Sequence, residues 1–107
     1  MITKTTLQNA ARAIECDLWT DPSGANYLAK DGAILRRWEP GTDRGDSFSL
    51  MTALRLDVLN DQNSCTAKKF DHYNQVVVCM FTEYDGKPDE RAMSAILQCA
   101  AHIGAAL

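Results

Sequence analysis

The sequence predicts a single α+β domain over residues 1–107: a three- to four-stranded antiparallel sheet with helices packed on its faces, an α–β–α sandwich. Three observations carry this expectation. Apolar residues recur at helical spacing in three segments, near the start, after Asp46 and after Pro88. Residues 75–84 are mostly apolar in both alternating rows, with Val76, Val78, Met80 and Thr82 on one side and Val77, Cys79, Phe81 and Glu83 on the other. Such a strand is expected to lie centrally, covered on both faces. Asp31-Gly32, between two mainly apolar arms, is a short hairpin signal.

Taken in order, Leu7, Ala11, Ile14 and Leu18 form the stripe of a first helix, capped by Thr5 or Thr6. It should end near Asp17, ahead of the turn Asp21-Pro22-Ser23-Gly24. Leu18 and Trp19 are expected to fold back onto the core, the alternative being that Trp19 is an exposed binding anchor. The hairpin arms cover residues 27–30, an edge, and 33–38. The second arm leads into the densest cluster of special-purpose residues, Arg37-Trp38-Glu39-Pro40-Gly41-Thr42-Asp43-Arg44-Gly45-Asp46. Pro40 fixes its own φ and holds Glu39 extended. Asp43, Asp46 or Ser47 can cap the helix that follows. That helix is expected over residues 46–56, with Phe48, Leu50, Met51, Leu54 and Val58 buried. A strand with weak alternation at 65–70, a turn at Asp71-His72-Tyr73-Asn74 and the apolar strand come next. Pro88 opens the last helix, where Asp89 and Glu90 suit the positive end of its dipole. Ala92, Ile96, Cys99, Ile103 and Ala106 form its stripe. No internal repeat is evident.

Composition narrows the function. The formal charge is −3, and the 11 basic residues are scattered, which argues against nucleic-acid binding. No apolar run approaches the roughly 20 residues of a membrane span, and the first residues lack the apolar core of a secretory signal. A cytoplasmic setting is therefore expected, with Cys16, Cys65, Cys79 and Cys99 as reduced thiols. Their spacing contains no Cys-x-x-Cys, so a zinc site has no support, and no cofactor is implied.

Several short patterns invite a chemical reading. Gly45-Asp46-Ser47 resembles the start of the serine block of Gly-Asp-Ser-Leu esterases. A serine nucleophile needs a base, yet neither His72 nor His102 has Asp three residues before it. Arg44-Gly45-Asp46 is the integrin-recognised tripeptide, which matters only on an exposed extracellular loop. Glu39, Asp43 and Asp46 offer oxygens to a cation but lack the ligand spacing of an EF-hand loop. For all three, turn and cap roles are the simpler account. No residue is singled out as catalytic or metal-binding.

The pattern Arg37-Trp38-x-Pro40-x-x-Asp43-x-Gly45-Asp46, followed by the amphipathic stretch from Phe48 to Val58, resembles small bacteriophage and prophage accessory proteins of the phage ABA (α–β–α) sandwich type. Glu90-Arg91-Ala92 and Ala100-Ala101-His102-Ile103-Gly104 are similar to the closing helix of that group. The resemblance implies a fold and a phage context, and no catalytic residues. The expected function is thus a non-enzymatic accessory protein that binds another protein, one variant being an inhibitor of a host defence system. The alternative is a small hydrolase or metal-dependent enzyme centred on Asp43–Ser47. Candidate interaction or structural residues are Trp38, Pro40, Asp43, Gly45 and Asp46, together with Ala101 and Ala105. The small-residue face of the last helix would let a partner or a second copy approach closely, giving a homodimer.

Overall fold

The computed structural model describes residues 2–62, 64–83 and 87–107, and the side chains of all of these except 77–83. The chain runs α1 (Lys4–Ala13), β1 (Asp17–Thr20), β2 (Asn26–Lys30), β3 (Ala33–Arg37), α2 (Arg44–Leu54), β4 (Asp57–Asn60), β5 (Ser64–Phe70), β6 (Val76–Glu83) and α3 (Pro88–Ala105). The α+β class is as expected, but the strands form two three-stranded antiparallel sheets, β1-β2-β3 and β4-β5-β6. Two strands went unread in the sequence. Residues 17–20 and 57–60 each follow a helix after only two or three residues, so their apolar side chains continue the helical stripe. Leu18 and Val58 therefore read as positions of the helical stripes.

The architecture is a repeat that composition and motifs do not show: a helix and three antiparallel strands, twice, closed by α3. The segments Ala13-Ile14-Glu15-Cys16-Asp17-Leu18-Trp19-Thr20-Asp21 and Ala53-Leu54-Arg55-Leu56-Asp57-Val58-Leu59-Asn60-Asp61 occupy equivalent places. In the first, the Cys16 N–H donates to Ala11 O at 2.9 Å and the Glu15 N–H to Arg12 O at 3.0 Å. In the second, Leu56 donates to Met51 O at 3.0 Å and Arg55 to Thr52 O at 3.2 Å. Both are Schellman ends, and each puts a non-glycine residue in the left-handed region, Glu15 at φ 61° and Arg55 at φ 53°. The strand registers then match, with Leu18 opposite Leu28 and Val58 opposite Ala67. A side chain resists this backbone conformation, and glycine does not.

The turns explain why the hairpins close where they do. Asp31 at φ 54° and Gly32 at φ 80° form a two-residue loop between Lys30 and its partner Ala33, the positive-φ pair that matches strand twist. Asp21 and Asp71 build a second kind of turn. Asp21 Oδ1 accepts the N–H groups of Ser23 and Ala25 at 2.9 and 3.0 Å, and Asp71 Oδ1 those of Tyr73 and Gln75 at 2.9 and 3.0 Å. The Ser23 hydroxyl also donates to Asp21 and is the main cause holding that carboxyl below its ordinary 3.8. A carboxylate bonded only in the folded chain stabilises the turn above its unfolded pKa, and loses that effect as pH falls through the lower folded value.

The helices gather around α3, which packs against α1, α2 and all three strands of the second sheet. Small residues make the α1–α3 contact close: Ala10, Ala11 and Ala100 are fully buried, and a Cβ on Gly104 would sit 1.6 Å from the Asn9 carbonyl oxygen. Leu50, Leu54 and Leu56 join Ile96 and Leu97 in one core with Leu7, Leu28 and Trp38. Phe48, expected inside, is 63% exposed. The stripe of α2 is narrower than its apolar content, because α2 rests chiefly on α3. Trp19 likewise does not fold back. It is 43% exposed and lies tilted against Tyr27, ring centroids 5.3 Å apart. Cys65 and Cys99 are buried thiols and Cys16 is half-buried. Burial pushes the Cys65 thiol up, against the opposing charge of Arg91. Cys79 and the alternating rows of the 75–84 strand beyond Val76 lie outside the described side chains.

Two substitutions test these backbone constraints in opposite directions. Arg55→Gly relieves the left-handed strain and should raise stability by about 0.5–1 kcal/mol after the cost of a more flexible unfolded chain. Gly104→Ala should lower it by roughly 3 kcal/mol or more, because the added methyl meets backbone that cannot turn aside. Urea denaturation measures both, and an Arg55→Gly variant less stable than the parent would refute the strain argument.

Candidate functional site

The Trp38–Asp46 corner joins β3 to α2, and hydrogen bonds hold it at both ends. The Trp38 N–H donates to Asn26 O at 2.8 Å, extending the β2–β3 ladder by one residue. The Glu39 carbonyl then turns the chain, accepting from Thr42 N at 3.1 Å and Asp43 N at 2.7 Å. Asp43 is the N-cap, its Oδ1 accepting the Asp46 N–H at 2.9 Å. Trp38 is fully buried and Pro40 is among the most completely buried side chains, so the Trp-x-Pro pattern is core packing.

Asp46 is the polar centre of the corner. It is only 8% exposed. One carboxylate oxygen accepts the Glu39 N–H at 2.8 Å, and the other pairs with Arg36 at 2.5 Å. The Glu39 carboxylate in turn faces back onto β2, accepting the Asn26 main-chain N–H at 3.2 Å and its side-chain amide at 3.3 Å. Each charge is therefore met by a donor, as a sparsely hydrated charge requires. Arg44, next to the cap, reaches Asp89 at the start of α3 with Nε to Oδ2 at 2.7 Å. That hydrogen bond is the main cause lowering the Asp89 carboxyl below its ordinary range. The pair is exposed and its contribution to stability is small.

This geometry bears directly on the chemical readings. Arg37, Glu39, Thr42, Asp43 and Asp46 line a shallow open pocket of about 440 Å³, but the Asp46 and Glu39 carboxylates already accept from protein donors. Among the described residues no group of three or more His, Cys, Asp and Glu is placed to hold a metal ion. Ser47 is 2% exposed and its hydroxyl has no hydrogen-bond partner among the described residues, so no base is placed beside it there to activate it as a nucleophile. His72 lies in the β5–β6 turn against Tyr73, and His102 lies on α3 beside the α1 groove. Asp46 of the Arg44-Gly45-Asp46 tripeptide is buried, so the three residues do not form an exposed adhesion loop.

Ala101 and Ala105 are placed differently from Ala100 and Gly104. The close helix approach is made at Gly104, to Asn9 of α1 in the same chain, and Ala100, one turn before it, is fully buried. Ala101 is half-buried and Ala105 exposed, and both line a groove of about 290 Å³ with Thr5, Thr6, Asn9, Gln98 and His102.

A different surface stands out, of which the sequence marked only Trp19, as the alternative to a place in the core. Residues paired across antiparallel strands share a face, as do residues two apart. Leu18, Leu28 and Arg36 are one row, turned toward the core and Asp46. Trp19, Tyr27 and Arg37 are paired on the opposite face, with Ala29 and Ile34 beside them. Trp19 and Ile34 are 43% and 53% exposed. The alternation was present in the sequence, but it could be used only once 17–20 was known to be a strand. Comparison with family models, curated proteins and solved structures finds no significant match.

Two variants separate packing from chemistry at the corner. Trp38→Ala should cost roughly 3–5 kcal/mol, whereas Trp38→Phe should cost far less, because the indole N–H has no partner to lose. Ser47→Ala should be neutral or stabilising by up to about 1 kcal/mol, since it removes a buried hydroxyl without a bond. Thermal melting of the three variants gives the order, and a Ser47→Ala variant destabilised by more than Trp38→Phe would contradict it.

Proposed function

We propose that this chain is a non-catalytic binding protein of the phage or prophage accessory type, acting by docking another protein. The observation that carries the reading is the contrast between two surfaces. The carboxylates of the corner that offered chemistry are engaged in holding the fold. On the outer face of the first sheet, Trp19, Tyr27 and Ile34 form a partly exposed apolar and aromatic row with Arg37 at its end. Aromatic residues with arginine are the composition of binding hot spots. The phage setting rests on the resemblance of the Trp38-x-Pro40-x-x-Asp43-x-Gly45-Asp46 pattern. Within that setting a host protein is the expected partner, and inhibition of a host defence system is one form its action would take.

The test compares surface variants that leave the core untouched. Trp19→Ser with Ile34→Ser should melt within a few degrees of the parent and abolish capture of the partner from host lysate. Phe48→Ser, exposed elsewhere, should capture it normally. Retention of every captured protein by the Trp19/Ile34 variant would exclude this face. A cation titration with Mg²⁺, Ca²⁺ and Mn²⁺ decides against the metal-dependent form of the enzyme alternative if melting does not shift, since a bound ion stabilises the folded state by mass action.

A further inference from the structure

Gly41, in the Trp38–Asp46 corner, is a glycine whose own backbone does not ask for one. Among the described residues the glycines at positive φ are Gly24 and Gly32, so alanine at position 41 would meet no left-handed strain. What excludes a side chain there is a neighbour. A Cβ on Gly41 would overlap Ile2 Cδ1, with Ile2 Cγ1 at 3.5 Å and Leu97 Cδ2 at 3.6 Å. The Ile2 side chain thus occupies the space that the missing methyl leaves.

Ile2 stands directly before Thr3, the N-cap of α1, whose Oγ1 accepts the Thr6 N–H at 3.1 Å and whose carbonyl accepts the Leu7 N–H at 3.1 Å. An apolar side chain in that position fixes the angle at which the chain enters a helix. Here it reaches another element as well. Ile2, Gly41 and Thr42 line an open notch of about 390 Å³ with Glu90, Met93 and Ser94 of α3. Met93 and Leu97 are 7% and 1% exposed, whereas Ile2 is 46% exposed. Two features let Ile2 leave its seat with the helix intact. The cap bonds begin one residue further on, at Thr3. The group over Gly41 is the far end of a flexible, half-exposed side chain. We propose that Ile2 is a releasable strap: seated at Gly41, it fastens the start of α1 to the corner and closes one end of the notch beside Met93 and Leu97, and it swings out without unfolding the domain. The strap uses none of Trp19, Tyr27, Ile34 and Arg37, so it stands or falls independently of docking on that face.

Alanine at position 41 is the lever, applied to the full chain. Gly→Ala at an unstrained position stabilises a protein by restricting its unfolded chain. With Ile2 in the seat, that gain is offset by the burial Ile2 loses when the new methyl displaces it. Gly41→Ala should therefore raise the melting temperature in an Ile2→Ala background, and lower it or leave it unchanged in the parent. Equal shifts in the two backgrounds would mean that the two residues are not coupled, and would overturn the proposal. Methyl NMR reads the seat directly. The Ile2 δ1 methyl should show cross-peaks to the Gly41 α protons and the Leu97 methyls in the parent, and lose them in Gly41→Ala while the amide spectrum stays dispersed. A parent without these cross-peaks, or a Gly41→Ala variant that keeps them, refutes the seat. A collapsed amide spectrum in that variant refutes the release. Closure of the notch is read with hydrogen peroxide, which transfers an oxygen atom to an accessible thioether. Met93 should be oxidised several-fold faster in Ile2→Ala than in the parent, measured against Met51 in the same sample. An unchanged ratio would show that Ile2 closes nothing.

Discussion

The fold turns on the carboxylate of Asp46. Its two oxygens tie the first turn of α2 to the end of the first sheet: one accepts the main-chain N–H of Glu39, at the exit from that sheet, and the other pairs with the guanidinium of Arg36, in its last strand. Asp46 itself sits in the first turn of α2, where the helix dipole favours a negative charge. One side chain thereby sets the angle between β3 and α2. That angle in turn lays α2 on α3 and carries Trp38 into the core. Removing the carboxylate would leave a buried N–H and a partly covered guanidinium without acceptors, a larger loss than either bond alone.

That constraint explains why the most conspicuous motif in the chain is quiet chemically. Aspartate, glycine and serine in close succession before a helix are the residues that build caps and tight turns, and they are also the residues of active sites. What separates the two uses is whether the polar atoms are left available. Here Asp43 caps, Asp46 bridges, Glu39 holds Asn26, and Ser47 is sealed beneath them with an unused hydroxyl.

The sequence showed the parts whose signals are local. The Asp31-Gly32 hairpin, the cap and proline of the corner, the strands near 65–70 and 75–84 and the final helix all rest on residues adjacent in the chain, and the structure has them in place, although residues 26–30, expected at an edge, form a central strand and residues 76–83, expected to be central, form an edge. It hid what depends on a helix ending without glycine. Glu15 and Arg55 adopt the left-handed conformation although neither prefers it, so β1 and β4 read as continuations of α1 and α2. With those strands missed, the repeat was invisible, and so was the face that carries Trp19. The ion pair between Arg36 and Asp46 and the bond between Asn26 and Glu39 were out of reach for another reason, since they depend on the registers of strands that pattern alone does not align.

The two units also show how a repeated element comes to serve different ends. Each follows its helix with a strand that places an apolar residue on the outer face, Trp19 in one and Leu59 in the other, both exposed. They differ in what comes after the third strand. β6 is followed by the 18-residue α3, which returns across its own sheet and buries Ile96, Leu97 and Cys99. β3 is followed by the shorter α2, which Asp46 directs away from its sheet and onto α3. One sheet thus becomes the floor of the core while the other keeps an uncovered edge and an aromatic face. The burial that stabilises the domain is concentrated in the second unit and α3, and this leaves the first sheet to keep surface that an isolated hairpin could not hold in one conformation.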